Sequence, residues 1–323
     1  MKRICNLTWH SDLSAARADA ARRARPILSL RLLGRLDEEL SCANSRFFRA
    51  TLYPAAEVAA LLDARFTLHW QPLRPVPVVT IDFGDGRVLT RTLTGNSAHL
   101  VLDRHGRSVD VLPGLFDAGS FARLLAAAAD LAQDTAALGG PTRAQRLARW
   151  HTSRAEAITR AWRADLVRIG LPPATIARTA PEDLAAITPW QRLAADYAHV
   201  ALPDPDVRAR LTDALRATPP SAGTRATDAH SAGALAPTKM MVERPLLDVL
   251  LPLARTIAED TLLSQFELHR RAHLHLATST VSDPDALTDW VYRDLFQMPP
   301  EDPWLGLRPD AFDALSGPRT PRL

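Results

Sequence analysis

Apolar positions in the first part of the chain repeat with two different periods. Residues 26–33, "PILSLRLL", form a short apolar run of strand length, and residues 66–72, "FTLHWQP", alternate as a half-buried strand does. Between them, residues 53–65, "YPAAEVAALLDAR", repeat their apolar positions at helical spacing. Residues 11–25 predict a further short helix, which Pro26 ends. The pattern therefore indicates a strand–helix–strand unit with a helix in front of it.

Two predicted hairpins and a closing helix follow this unit. β-Branched runs flank Gly84–Gly86, "GDG", and a second pair of strand patterns flanks "RHG" at 104–106. Residues 117–134 show the pattern of an amphipathic helix, for which Asp117 is the candidate N-terminal cap. The order strand, helix, strand, hairpin, hairpin, helix predicts an α/β fold.

A break at residues 139–142, "GGPT", separates this region from a chain that is mainly helical. Residues 218–238 have almost no large apolar side chains, which predicts a flexible linker that interrupts the helical part. The sequence thus predicts a helical extension at 1–25, an α/β domain at 26–135, a mainly α-helical domain at 142–298 and an irregular tail at 299–323.

Composition narrows the classes of protein to which the chain can belong. Its 323 residues are 46% hydrophobic, which is enough for a sizeable core. The net charge is +3, and the scattered arginines form no basic stripe with aromatic residues, which argues against nucleic-acid binding. No apolar run approaches the length of a membrane span, and two cysteines cannot build a disulfide framework. We therefore expect a cytoplasmic protein without a membrane span.

Residues 26–131 resemble the thioredoxin-like superfamily, especially its divergent bacterial members. The resemblance rests on segments that follow the family's order: "RPILSL", "SCANSRFF", "EVAALLDARFTLHW" and "TGNSAHLVLDRHGRSVDVLPGLFDAGSFARLL". The last segment is similar to the family's closing β-hairpin and C-terminal helix. The resemblance implies a central mixed sheet flanked by helices, followed in this chain by the mainly helical domain.

The resemblance also places Cys42 at the position of the family's attacking thiol, at the N-terminus of the first core helix. Backbone N–H groups at such a place favour the thiolate, which is the form that attacks a disulfide. Ser45 replaces the usual second cysteine, which gives the C-x-x-S pattern of monothiol members that use glutathione or another thiol as resolver. Ser97 or Ala98 stands where the family has a cis-proline. Both departures argue against ordinary dithiol reductase activity.

The residues around Cys42 have candidate roles, and each role has a structural alternative. Ser45 would stabilise the Cys42 thiolate and His99 would carry its proton, while Asn44 and Ser97 are the candidate substrate-binding residues. Alternatively, Cys42 is a small buried residue, because free cysteine is among the most buried residue types. Ser45 is then a first-turn residue, Asn44 is a helix cap, and His99 faces solvent at a strand edge.

A histidine pair in "ELHRRAHLHL" is a candidate metal site. His269 and His273 lie four residues apart on one helix face, where imidazoles can chelate zinc or copper. The sequence identifies no third or fourth ligand, and the alternative is a solvated helix face. Cys42 with His99 is a second candidate pair for a soft metal.

The sequence leaves three hypotheses for the function. The first is a thiol-dependent redox protein of monothiol type, in which Cys42 acts on a disulfide, a peroxide or a glutathione adduct. It would require no bound cofactor and would use glutathione as a co-substrate. The second is a non-catalytic thioredoxin-like binding or scaffold protein, whose helical domain contacts a protein partner. The third is a copper- or zinc-binding protein. The expected partners are therefore a protein or small-molecule thiol or disulfide, and neither nucleic acid nor a membrane.

Overall fold

The computed structural model describes residues 1–168 and 257–305, apart from positions 39, 93–94, 258–259 and 280–281. The linker predicted at 218–238 lies outside the described residues, and so does the tail beyond residue 305. The predicted helical domain at 142–298 is described only at its two ends. These two ends pack against each other, because the helix that finishes at Arg168 lies along the helix that begins at His269.

The described residues contain two β-sheets. The strands are β1 Lys2–Ile4, β2 Leu7–His10, β3 Ile27–Leu32, β4 Thr67–Pro72, β5 Val78–Asp82, β6 Val88–Thr92, β7 Ser97–Leu102 and β8 Ser108–Pro113. The larger sheet has six strands in the order β1-β2-β4-β3-β7-β8. The strands β2, β4 and β3 run parallel, whereas β1, β7 and β8 each pair antiparallel with their neighbour. The sheet is therefore mixed, as the resemblance implied.

Helices flank this sheet and continue after it. They are α1 Leu13–Arg23, α2 Ala43–Phe47, α3 Ala56–Arg65, α4 Ala118–Ala136, α5 Gly140–Arg168, α6 His269–Thr278 and α7 Pro284–Trp290. Single π-helical segments adjoin α2, α6 and α7, at Phe48–Leu52, Leu263–Leu268 and Val291–Leu295. The predicted cap of the closing helix is confirmed, because Asp117 accepts a hydrogen bond from the Ser120 N–H at 2.9 Å. Within the described ranges, no helix combines the length and the apolar character that crossing a membrane requires.

Both predicted hairpins are confirmed. β5 and β6 pair antiparallel around the "GDG" turn and form a two-stranded sheet of their own. β7 and β8 pair antiparallel around the second turn, where the buried Asp103 accepts the N–H groups of His105 and Arg107 at 2.9 and 3.0 Å. This carboxylate holds the turn in place, as Asp commonly does in tight turns.

The first 25 residues differ from the helical extension that the sequence predicted. They contain α1, but they also contribute β1 and β2 to the main sheet. β2 pairs in parallel with β4, and its Leu7 and Trp9 are buried in the core while Thr8 is exposed. A strand of four residues is too short for its alternation to stand out in the sequence. The boundary expected at residue 26 is therefore not a structural boundary.

Candidate functional site

Cys42 lies directly before α2, close to the end of β3. Its backbone N–H donates to the Leu33 carbonyl at 3.4 Å, which holds the residue against the strand. The side chain is fully buried, at 0% exposure, and its Sγ lies 3.2 Å from the Ser97 Oγ at the start of β7. The structure thus brings two of the predicted site residues together, with the sulfur shielded from solvent.

Gly95 lies directly against Cys42. A Cβ atom at position 95 would stand 2.4 Å from the Cys42 Cβ, a distance that no pair of carbon atoms tolerates. The φ angle of Gly95 is +152°, which also disfavours any residue with a side chain. The segment before β7 can therefore cover the thiol only because it has a glycine at this position.

Ser45 and Asn44 contact backbone and loop atoms. The Ser45 hydroxyl donates to the Cys42 carbonyl at 2.9 Å, so its proton is directed to the backbone and not to the sulfur. The Asn44 Nδ2 donates to the Asn96 Oδ1 at 3.2 Å, across to the segment that covers the thiol. Together these contacts hold the start of α2 against the segment that precedes β7.

His99 is fully buried beside this thiol region, on β7. Its Nε2 lies 2.8 Å from the Tyr53 hydroxyl, and its ring packs between Phe48 and Phe121 at centroid distances of 4.7 and 4.8 Å. Burial lowers the pKa of His99 to about 3, so the imidazole is neutral at ordinary pH. The hydrogen-bond partner of His99 is therefore a tyrosine hydroxyl, and the ring has no contact with solvent.

The second group of predicted site residues forms part of a buried centre. His269 and His273 lie side by side on one face of α6, with their ring centroids 4.1 Å apart and their planes tilted by 37°. Asp110 from β8 and His151 from α5 meet them there, and all four residues are buried, with at most 1% of each residue exposed. We call Asp110, His151, His269 and His273 the His/Asp centre.

The polar atoms of the His/Asp centre lie close to one another. The Nδ1 atoms of His151 and His273 are 2.9 Å apart, and the His273 Nδ1 is 3.7 Å from the Asp110 Oδ1. One ligand atom from each of these three residues lies within 4.8 Å of the other two. His269 is outside this set of three, but its Nε2 is 3.8 Å from the same carboxylate oxygen.

A backbone contact orients the His151 ring. Its Nε2 lies 2.9 Å from the Val109 carbonyl, which can only accept, so the proton resides on Nε2. The His151 Nδ1 then has a lone pair directed into the centre, where it accepts a hydrogen bond from the His273 Nδ1 at 2.9 Å. A carbonyl on the distal nitrogen is the arrangement that commonly orients a metal-binding histidine.

Several buried atoms of the centre have no hydrogen-bond partner within the described residues. These are the Asp110 Oδ2, both ring nitrogens of His269 and the His273 Nε2. Ion-pair contacts to Asp110 in the described chain come only from His269 and His273. Burial lowers the pKa of His273 well below its ordinary value and also lowers that of His151. The centre thus presents the neutral imidazoles of His151 and His273 beside a buried carboxylate, and such donors could hold a transition-metal ion.

Asp110 and His151 carry no motif that distinguishes them in the sequence. The one signal for Asp110 is a charged residue at the middle of the apolar strand "SVDVLP", in which every position is buried. His151 lies on a long helix among many polar residues, and only the packing of α5 along α6 brings it to His273. Local sequence patterns therefore could not identify Asp110 and His151 as members of the centre.

Comparison of the chain with protein-family models, with curated proteins and with solved structures finds no match.

Proposed function

We propose that this protein binds one divalent transition-metal ion, of the zinc or copper class, through Asp110, His151 and His273. The observation that supports the proposal is the convergence of their ligand atoms within 4.8 Å of one another in a buried position. Metal bonds of about 2.1 Å in a tetrahedron space the ligand atoms by about 3.4 Å. The observed separations of 2.9 and 3.7 Å bracket that value, so small side-chain movements would close the set around one ion.

The charge of the centre supports the same proposal. A buried carboxylate is costly unless a cation compensates it, and no Lys or Arg ion pair to Asp110 occurs in the described chain. A divalent cation would supply that compensation, and it would take the place of the proton that the Nδ1 atoms of His151 and His273 share. His269, whose Nε2 is 3.8 Å from the Asp110 Oδ1 but outside the converging set of three, would have to move closer to serve as a fourth ligand.

The proposed ligands come from three different secondary-structure elements, which supports a structural role for the ion. Asp110 lies on β8, His151 on α5 and His273 on α6, so a bound ion would join the sheet to both helices. Ions held by buried protein ligands contribute their binding energy to folding. We therefore propose that the metal ion stabilises the attachment of the later helices to the sheet.

Metal titration of the full chain tests this proposal. The protein, stripped with EDTA and dialysed, is titrated with zinc or copper salts by calorimetry, and the bound metal is measured by elemental analysis. We expect about one equivalent of bound metal. We also expect His151→Gln and His273→Gln to weaken binding by at least about tenfold, because second-shell changes alone cost 10–100-fold.

His275→Gln is the matched control for this experiment. His275 lies on the same helix as His273, but its ring stacks on Trp290 at 3.8 Å and is outside the centre. We expect this variant to bind metal as the unchanged protein does, with circular dichroism to verify that all variants fold. Retention of full affinity in His273→Gln, or no uptake of zinc or copper by the unchanged protein, would contradict the proposal.

We also propose that residues 26–135, together with the strands β1 and β2 that extend their sheet, form a divergent thioredoxin-like domain. The proposal is supported by the strand–helix–strand unit β3-α2-α3-β4, whose strands are parallel neighbours in the sheet. It is further supported by the antiparallel hairpin β7–β8, which leads directly into α4. Cys42 at the start of α2 has the place that the family gives to its attacking thiol.

A monothiol redox activity at Cys42 is the second candidate function. The contact that favours it is the 3.2 Å approach of the Cys42 Sγ to the Ser97 hydroxyl, which could donate to a thiolate. Because the sulfur is fully buried, a substrate could reach it only if the segment at Gly95 moves away.

Thiol reactivity in a protein with a single cysteine tests this candidate. Cys5→Ser leaves Cys42 as the only cysteine, since the chain has two. We expect slow reaction of the folded protein with an aromatic disulfide reagent and fast reaction in urea. If a glutathione-dependent reductase activity is present, Cys42→Ser should abolish it. An unchanged activity in Cys42→Ser would rule out Cys42 as its source, and absence of any such activity in the unchanged protein would leave the non-catalytic binding role.

A further inference from the structure

A cleft of about 430 Å³ lies between the N-terminal part of α5, the start of β8 and the end of α6. The side chains of Arg143, Leu147 and His151 follow one face of α5 along this cleft, at intervals of one helical turn. With a rise of 1.5 Å per residue, they extend over about 12 Å. Part of the lining is apolar and consists of Ala144, Leu147 and Leu276.

Two buried residues that line the cleft, Arg143 and Ser108, each have one side-chain donor without a partner among the described residues. Arg143 is 7% exposed and Ser108 is 2% exposed. In the part of the chain that the structure describes, neither the Arg143 Nε nor the Ser108 Oγ makes a hydrogen bond. Buried donors are rarely left unsatisfied, so this pair indicates a ligand that brings hydrogen-bond acceptors.

The charge around these donors favours an anion. The Arg107 and Arg143 guanidinium groups share a single buried carboxylate, that of Asp103, at 2.7 and 3.4 Å. Two positive groups against one negative group leave an excess of positive charge at this end of the cleft. The N-terminus of α5, a helix of 29 residues, begins in the same lining at Gly140, and its dipole also favours negative charge.

We propose that this cleft binds a small organic anion with a carboxylate or phosphate head group. The head group is bound near the N-terminus of α5 by the Arg143 Nε and the Ser108 hydroxyl, both of which are shielded in this structure and turn toward the cleft when the ligand binds. The apolar body of the ligand lies along Ala144, Leu147 and Leu276. Neither Arg143 nor Ser108 belongs to the metal-binding set, so this site does not depend on the proposed metal ion.

Binding of simple amphiphilic anions to the full chain tests the proposal. Octanoate and octyl phosphate are the probes, and calorimetry is run on both the metal-free and the zinc-treated protein, because His151 faces both sites. We expect each probe to bind with one-to-one stoichiometry, and the stronger of the two identifies the preferred head group. Octanol, without a charge, and acetate, without an apolar body, should bind at least about tenfold more weakly, since an ionised group strengthens a hydrogen bond and the body adds apolar burial.

Substitutions at the two ends of the cleft locate the site. Arg143→Gln should weaken octanoate binding by about tenfold and Ser108→Ala by about threefold, because each removes one hydrogen bond to the head group. Ala144→Phe should block the cleft without removing a charge. Arg146→Gln is the matched control, because Arg146 is a half-exposed arginine of the same helix and pairs with Asp134 outside the cleft.

The outcomes separate this proposal from the metal site. Loss of octanoate binding in Arg143→Gln and Ala144→Phe, together with unchanged binding in Arg146→Gln, supports the proposed anion site. This conclusion does not depend on the result of the metal titration. Circular dichroism shows whether Arg143→Gln folds. If it does not, octanoate binding by Ser108→Ala and Ala144→Phe tests the proposed anion site. Absence of octanoate and octyl phosphate binding, equal binding of octanol, or full affinity in Ala144→Phe would overturn the proposal.

Discussion

His99 is buried among aromatic rings, where the Tyr53 hydroxyl is the partner of its Nε2. The pKa of a histidine is near 6.5 in the unfolded chain, and burial lowers that of His99 to about 3. Between these two values the unfolded state binds a proton that the folded state does not. The contribution to stability is therefore fully present above about pH 6.5 and is lost as the pH falls toward 3.

Replacement of His99 should make the protein less sensitive to acid. In His99→Phe we expect the slope of the free energy of unfolding against pH to fall by up to about 1.4 kcal/mol per pH unit, in the range from about pH 6 to pH 4. Urea unfolding at a series of pH values measures this slope. His105→Gln is the control, because His105 is exposed in a turn. An identical slope in His99→Phe and the unchanged protein would show that His99 is not buried in this way.

Cys42 illustrates at the same scale how burial decides the role of a residue. Its hydrogen bond to Ser97 and its place before α2 suit a reactive thiol, but Gly95 covers it. A thiol that solvent cannot reach does not exchange with a disulfide unless its cover moves. The presence of a cysteine at this position was therefore compatible both with a reactive thiol and with a buried structural residue.

At the scale of elements, α7 and the π-helical segment after it dock against the central strand. The Arg31 guanidinium on β3 is fully buried, and its Nη2 donates to the Asp285 Oδ1 on α7 at 3.0 Å. The Tyr292 hydroxyl, from the segment after α7, donates to the Asn96 carbonyl at 2.8 Å. A buried positive charge in the middle of the sheet is thus compensated by an element far away in the sequence.

A matched pair of substitutions on α7 tests this docking. Asp285→Asn leaves the buried Arg31 charge without its carboxylate, and we expect it to lower the free energy of unfolding by about 1–2 kcal/mol. Asp289→Asn removes the same charge from an exposed position of the same helix, and we expect a change within about 0.5 kcal/mol. Urea unfolding near neutral pH compares the two variants. Equal stabilities would mean that the ion pair does not attach α7 to the sheet.

At the scale of the whole molecule, the two described ranges of the chain contact each other at several places. The His/Asp centre combines one strand and two helices, and the Arg31–Asp285 pair joins residues 254 positions apart. Contacts of this kind are made only after the intervening chain has folded back. Both the proposed metal site and the docking of α7 therefore belong to the assembled molecule and to none of its elements alone.

Much of the fold could be predicted from short stretches of sequence. The hairpins at "GDG" and "RHG", the strand at 26–33 and the cap at Asp117 depend on neighbouring residues, and the structure confirms them. The same holds for the His269 and His273 pair, because four-residue spacing on a helix always brings two side chains to one face. By contrast, β1 and β2 have too few residues for a recognisable period.

The sequence by itself determined the local elements, because their signals are carried by residues that are adjacent in the chain. Only the tertiary structure decided that Cys42 is buried under Gly95 and that Asp110 and His151 join the predicted histidine pair. These outcomes depend on which surfaces of β7, β8, α5 and α6 pack together, and no short window of sequence encodes such packing.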